Sequence, residues 1–134
     1  MGISMGEKRV FNSKRVAATG APYSQAVIVG DLVFVSGQVA LDPASGKIVT
    51  CTFKDEVTQL MNNLKRLLEE MGISLQDVVK VTVFLKDMEK FQQFNEIYKG
   101  FFLTMPPARS CVEVSNLPLG ANIEIEVIAC LLVM

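Results

Sequence analysis

Thr52–Leu85 reads TFKDEVTQLMNNLKRLLEEMGISLQDVVKVTVFL, and its hydrophobic period changes once along its length. Thr52, followed three residues later by Asp55, can cap a helix. Val57, Leu60, Met61, Leu64, Leu67, Leu68 and Met71 then recur at the spacing of one helical face, up to a stop at Gly72. Ser74–Asp77 reads as a short capped turn. After it Val79, Val81, Val83 and Leu85 alternate with Lys80, Thr82, Phe84 and Lys86, the period of a strand. Asp87 can cap a second helix whose inner face carries Phe91, Phe94, Ile97, Tyr98 and Phe101. These aromatic and Met stripes are most simply core.

On the N-terminal side, Val27–Val29 and Leu32–Val35 are β-rich runs separated by Gly30-Asp31. That predicts a hairpin with Gly at the positive-φ position of a type II′ turn. Short strands near Arg9–Phe11 and Ile48–Val49 can flank it, with a turn at Asp42–Gly46. On the C-terminal side, two strands flank the turn-rich stretch Ser115–Ala121. Arg109, Cys111 and Glu113 share one face of the first strand, Val112 and Val114 the other. In the second, Ile123, Ile125 and Val127 form the apolar face, Glu124 and Glu126 the polar one. Pairing the two strands antiparallel with apolar faces together puts Arg109, Cys111 and Glu113 on the same sheet face as Glu124 and Glu126. Past Glu126 the polar parity continues as Ile128, Cys130, Leu132 and Met134, so both faces of the strand end are apolar. Helices can cover one face of the sheet; a second subunit is the simplest cover for the other.

The chain has 134 residues, enough for one domain, and no internal repeat or linker divides it. Half of its residues are hydrophobic, yet no window holds the ~18 apolar residues in a row that a membrane-spanning helix needs. Met1–Gly6 lacks the apolar core of a secretory signal, and Gly6 stands where a myristoylation site wants Ser or Thr; residues 1–7 are read as a flexible tail and 8–134 as the domain. Cys51, Cys111 and Cys130 are odd in number and widely spaced, which suits a reducing, cytoplasmic setting rather than a disulfide framework.

Histidine is absent, which removes the usual general base and every Ser-His or Cys-His couple. No phosphate-cradling Gly-rich loop and no metal-ligand spacing occurs, so neither a nucleotide cofactor nor a metal is expected. The net charge of −1 gives no footprint for nucleic acid. Lys8, Arg9, Lys14 and Arg15 do cluster, and read as a solvated edge or as a small RNA-binding patch. Arg109 follows the stiff approach Pro106-Pro107-Ala108. It is open to two readings: an ion pair with Glu113 or Glu124, or a bidentate clamp on a substrate carboxylate. Cys111 reads as a small core residue or as a nucleophile with no histidine to activate it, and Glu124 and Glu126 as solvated or Arg-paired carboxylates.

The blocks APYSQAV (Ala21–Val27), VSGQVALDPASGKIV (Val35–Val49), KVTVFLKDMEKFQQFNEIYKGFF (Lys80–Phe102), PPARSCVEV (Pro106–Val114) and LPLGANIEIEVIA (Leu117–Ala129) together resemble the RidA (YjgF-type) family of imine and enamine deaminases. The resemblance implies a chorismate-mutase-like α+β fold, a mixed six-stranded sheet with two helices on one face, assembled as a homotrimer with sites between subunits. It implies hydrolysis of 2-imino and 2-enamino acids such as 2-aminoacrylate to keto acids and ammonia. Arg109 would bind the carboxylate, Glu124 would position or activate water, and the Cys111 backbone would contact the imine nitrogen. Tyr23, Ser36, Gly37 and Asn95 would line the pocket. Leu119 departs from the basic residue many relatives carry. Some family members have been described instead as translation inhibitors or ribonucleases, and a third possibility is a keto-acid sensor without turnover.

Overall fold

The computed structural model describes residues 7–15 and 20–131, so the reading of Met1–Gly6 as a tail lies outside the described residues, as do Leu132 and Met134. Six strands, β1 (Lys8–Phe11), β2 (Ala26–Val29), β3 (Leu32–Gln38), β4 (Val78–Leu85), β5 (Ala108–Glu113) and β6 (Ile123–Cys130), form one mixed sheet of order β1-β2-β3-β6-β4-β5. Two helices, α1 (Phe53–Glu70) and α2 (Phe91–Tyr98), back one face of it.

Local signals placed most elements where the sequence put them. Thr52 Oγ1 accepts from Asp55 N at 3.0 Å and starts α1; Gly72, at φ 82°, ends it. The whole predicted stripe of α1 is buried except Met71, which is half-buried. Gly30, at φ 59°, turns the β2–β3 hairpin with Val29 opposite Leu32. Ser74 and Asp77 form a reciprocal capping box, and the Asp87 carboxylate accepts from Glu89 N at 2.9 Å to begin the approach to α2. Ile48, read as part of a strand, makes only an isolated bridge to Leu41.

Two expectations are corrected. In β4 a bulge between Val78 and Lys80 shifts the phase, so Val78 faces the core and Val79 is 47% exposed. More consequentially, β5 and β6 do not pair. β5 lies parallel to β4 at the sheet edge, while β6 inserts between β3 and β4, antiparallel to both. The cause is the connection: α2 is a crossover, and a strand that returns through a crossover helix runs parallel to the one it left. In that register Arg109 stands beside Val81 and Cys111 beside Val83, on the helix-covered face, while Glu124 stands beside Phe84 and Glu126 beside Thr82 on the other. Arg109 and Glu124 are therefore on opposite faces of the sheet.

The inner face is the core. Ile123, Ile125 and Val127 of central β6 pack with Val33, Val81, Val83 and Leu85 against α1 and against Phe94 and Tyr98 of α2. Two buried polar groups are fully used within it. Asn63 Nδ2 donates to the Leu41 carbonyl at 2.7 Å, and the two Glu56 carboxylate oxygens accept from Asn122 N and Nδ2, each at 2.8 Å, pinning the start of β6 to α1. Among the described residues no helix covers the outer face. Val27 and Val29 of β2, Leu32 and Phe34 of β3, and Ile128 and Cys130 of β6 form an apolar stripe three strands wide, and Phe34 is 42% exposed. Leu64→Ala should lower the unfolding free energy by about 2–5 kcal/mol, whereas Val79→Thr should change it by no more than about 0.5 kcal/mol. Urea denaturation of the two variants tests both the core and the bulge.

Candidate active site

The residues singled out from the sequence fall into two groups. The first surrounds a cavity of about 510 Å³ on the outer side, lined by Tyr23, Ser36, Gly37 and Glu124 and closed by Ala21, Val39, Pro118 and Leu119. Its geometry begins with an irregularity: the β3–β6 pairing breaks between Val35 and Gln38, so Ser36 and Gly37 leave the ladder. Ser36 N donates to the Gln25 carbonyl at 2.9 Å and its Oγ to the Ser24 carbonyl at 2.6 Å. The hydroxyl proton is thereby committed, leaving Oγ an acceptor toward the cavity. Gly37 lies flat against Glu124: a Cβ there would fall 1.8 Å from Glu124 Oε2. Only a residue without a side chain leaves that carboxylate where it is.

Glu124 is half-buried, and burial raises its pKa above the ordinary carboxylate value; Glu126, two residues along the same face, adds to the rise. It thus holds a proton closer to neutrality than a solvated glutamate does.

The second group sits at the edge of the inner face. Arg109 Cζ lies 4.8 Å from the ring centroid of Tyr98, 5.5 Å from that of Phe94 and 5.6 Å from that of Phe91. Neither anticipated ion pair forms. Glu113 Oε1 instead accepts from Met88 N at 2.7 Å, Glu124 is across the sheet, and among the described residues no carboxylate lies within salt-bridge distance of Arg109. Ring contacts attract a guanidinium without consuming its N–H groups, which can still donate to a carboxylate. On the same helix Asn95 Oδ1 and Tyr98 Oη are buried without hydrogen-bond partners among the described residues. Burial pushes the Cys111 thiol up, against a smaller pull from Arg109, so the side chain is a poor nucleophile at neutral pH. The rings of α2, read from the sequence as core alone, also hold Arg109; nothing in their own spacing distinguishes the two uses. Of the N-terminal basic cluster, Lys14 and Arg15 share a basin with Glu69 and Glu70, and Ser13 Oγ bonds Glu70.

The described residues thus form a mixed α+β sheet, open on one face, with a cavity lined by a carboxylate on that side and an arginine with no salt-bridge partner among them on the other. Comparison with known proteins narrows this. Residues 13–131 match the family model described as Endoribonuclease L-PSP, and the chain belongs to that family, the RidA/YjgF family. It is 46% identical to a RutC family protein of Pyrococcus abyssi, over 93% of this chain and 98% of that one. It is 43% identical to the 2-iminobutanoate/2-iminopropanoate deaminase of Mus musculus, over 91% of this chain and 90% of the mouse protein. Among solved structures, that of E. coli TdcF with bound serine superposes with a TM-score of 0.85 at 36% identity, covering 91% of this chain and 98% of TdcF.

The raised Glu124 pKa has a sign that can be checked. Because the folded state holds this proton more tightly than the unfolded chain, ionisation costs stability above the folded pKa and nothing below the unfolded one. Glu124→Gln should therefore raise the melting temperature at about pH 8, and the advantage should vanish as the pH falls to about 4. A difference independent of pH would contradict the shift.

Proposed function

We propose that this chain is a cytoplasmic homotrimeric hydrolase that converts 2-imino and 2-enamino acids, such as 2-aminoacrylate, to 2-keto acids and ammonia. The observation that carries the reading is Arg109, a guanidinium seated on three rings with no carboxylate partner among the described residues. Such a group is prepared for an anion the protein does not itself supply. The mouse relative's name gives the substrate class.

In the proposed reaction Arg109 holds the substrate carboxylate by a forked pair of hydrogen bonds and so fixes the adjoining C=N carbon. Tyr23, Ser36, Gly37 and Asn95 line the pocket around it, and the Cys111 backbone contacts the imine nitrogen. Glu124 orients a water molecule. An enamine first gains a proton at its β-carbon and loses one from nitrogen to become the imine; then, as the water oxygen bonds to the C=N carbon and the water gives up a proton, the C=N π pair moves to nitrogen, which takes up a proton. Collapse of the carbinolamine then expels ammonia and leaves the keto acid. A carboxyl group whose pKa is raised toward neutrality can both give and take the protons these steps need. No metal, nucleotide or histidine is called for.

Since Arg109 and Glu124 lie on opposite faces of one sheet, a shared site requires two chains: the Glu124 cavity of one protomer meeting the Arg109 edge of its neighbour. The apolar outer face supports assembly of that kind, because burying it on a like chain removes it from water.

Arg109→Ala is expected to abolish ammonia release from freshly generated 2-aminoacrylate while the protein stays folded and assembled; unchanged turnover would sink the clamp. Glu124→Gln should depress kcat more than it weakens keto-acid binding, and equal losses would count against its role toward water. Pyruvate binding without turnover in the wild type would point to a sensor. Mixing is more demanding. When Arg109→Ala and Glu124→Gln subunits are co-refolded in equal amounts, about a quarter of the sites in a trimer should join two intact halves. Activity should reappear to that extent, and none should return if each chain holds a whole site.

A further inference from the structure

Tyr98 carries a hydroxyl that no described residue hydrogen-bonds. The residue is only 7% exposed, and its Oη is buried with no hydrogen-bond partner. A buried polar group in that state costs stability. The ring is well accommodated, with Phe94 at 5.2 Å on one side and Phe102 at 4.8 Å on the other. Phenylalanine would fill the same slot without the penalty, as Phe94 and Phe102 do on either side of it. Packing therefore accounts for the ring and not for the oxygen.

The surroundings of the oxygen narrow what it can meet. Tyr98 is the ring nearest to Arg109, whose Cζ lies 4.8 Å from its centroid. Asn95, three residues earlier on α2 and so on the neighbouring helical position, has its Oδ1 buried and equally unpartnered. A cation thus lies against the ring that carries the hydroxyl, and an amide oxygen sits one helical position from that ring, each without a hydrogen-bond or ion-pair partner among the described residues. A donor beside a guanidinium suits an anion, since both can donate to the same carboxylate. An amide oxygen accepts, and suits an N–H instead.

We infer that Tyr98 is a ligand-binding residue of the Arg109 site, its hydroxyl donating to the carboxylate that Arg109 holds while its ring keeps the guanidinium plane in place. The inference rests on the imino-acid reading proposed above, and it deepens it by giving the carboxylate a second donor. Burial pushes the phenol up to about 12, with Arg109 pulling weakly the other way, so the group keeps its proton at any physiological pH and serves as donor rather than base.

The test compares wild type with Tyr98→Phe, Tyr98→Leu and Arg109→Ala by three measurements on the full chain: calorimetric titration with pyruvate, ammonia release from 2-aminoacrylate, and thermal melting without ligand. Tyr98→Phe keeps the ring and should fold. It is expected to weaken pyruvate binding and raise KM by about tenfold, the usual effect of losing one hydrogen bond to a charged group. Its kcat should change less, and its ligand-free melting temperature should not fall. Tyr98→Leu, which also removes the ring under Arg109, should lose more affinity than Tyr98→Phe. Unchanged pyruvate affinity and KM in Tyr98→Phe would overturn the inference. So would a lower ligand-free melting temperature with unchanged affinity, because the hydroxyl would then serve the fold or a subunit contact. Arg109→Ala separates the two levels. If it abolishes pyruvate binding and Tyr98→Phe does not weaken it, the Tyr98 assignment alone fails; if Arg109→Ala also binds pyruvate normally, the carboxylate reading fails with it.

Discussion

Two helices can cover only one side of a six-stranded sheet, and most of this molecule follows from that limit. The strand at the centre of the covered side, β6, buries Ile123, Ile125 and Val127 completely or nearly so, because it has β3 and β4 on either flank and α1 above. Full burial of such side chains contributes about 1.5–3 kcal/mol each, so β6 is where the sheet and the helices are tied together. The Glu56–Asn122 pair strengthens the tie at the strand's start, where a loose backbone would otherwise let the alternation slip. A slip of one residue would move Glu124 into the core.

How much of this was legible depended on whether the deciding contact was local. The capped amphipathic α1, the Gly30-Asp31 hairpin and the alternation of β6 were readable because each is set by residues within a turn or two. The partner of β5 was not. Its own pattern points the wrong way: Val112, the apolar residue of the strand, is 45% exposed on the outer face, and the charged Arg109 faces the helices. An edge strand has one neighbour and little core, so parity on it is weakly enforced. The usable signal lay elsewhere, in the helical stretch between β4 and β5, since a strand–helix–strand crossover implies a parallel neighbour. At the site, the residue types were legible as a set, while the division into two separated groups depended on that same pairing.

The sequence-level reading of Arg109 as half of an ion pair also failed for a physical reason that the fold supplies. Glu113 is drawn off to the Met88 amide, where the chain enters α2 and a carboxylate satisfies a free N–H. Glu124 is removed to the other face by the register of β4 with β6. What remains within reach of the guanidinium is aromatic. A ring attracts the cation without using up its N–H groups, so the arginine is held and yet uncommitted. A carboxylate in the same place would hold it more firmly and close it to ligands.

The same separation bears on Glu124. Beside Arg109 its pKa would be pulled down, since an opposite charge favours the ionised form. Across the sheet it feels burial and Glu126 instead, and both push the other way. Placing the cation and the acid on opposite faces of one chain therefore leaves Arg109 without a carboxylate partner among the described residues and Glu124 with a raised pKa, two properties that direct contact would cancel. If the halves meet only across two chains, with a ligand carboxylate between them, Arg109 is neutralised by the ligand and not by Glu124. In the proposed assembly, contact between chains would do more than cover an apolar sheet: it would bring together two groups that the single chain holds on opposite faces.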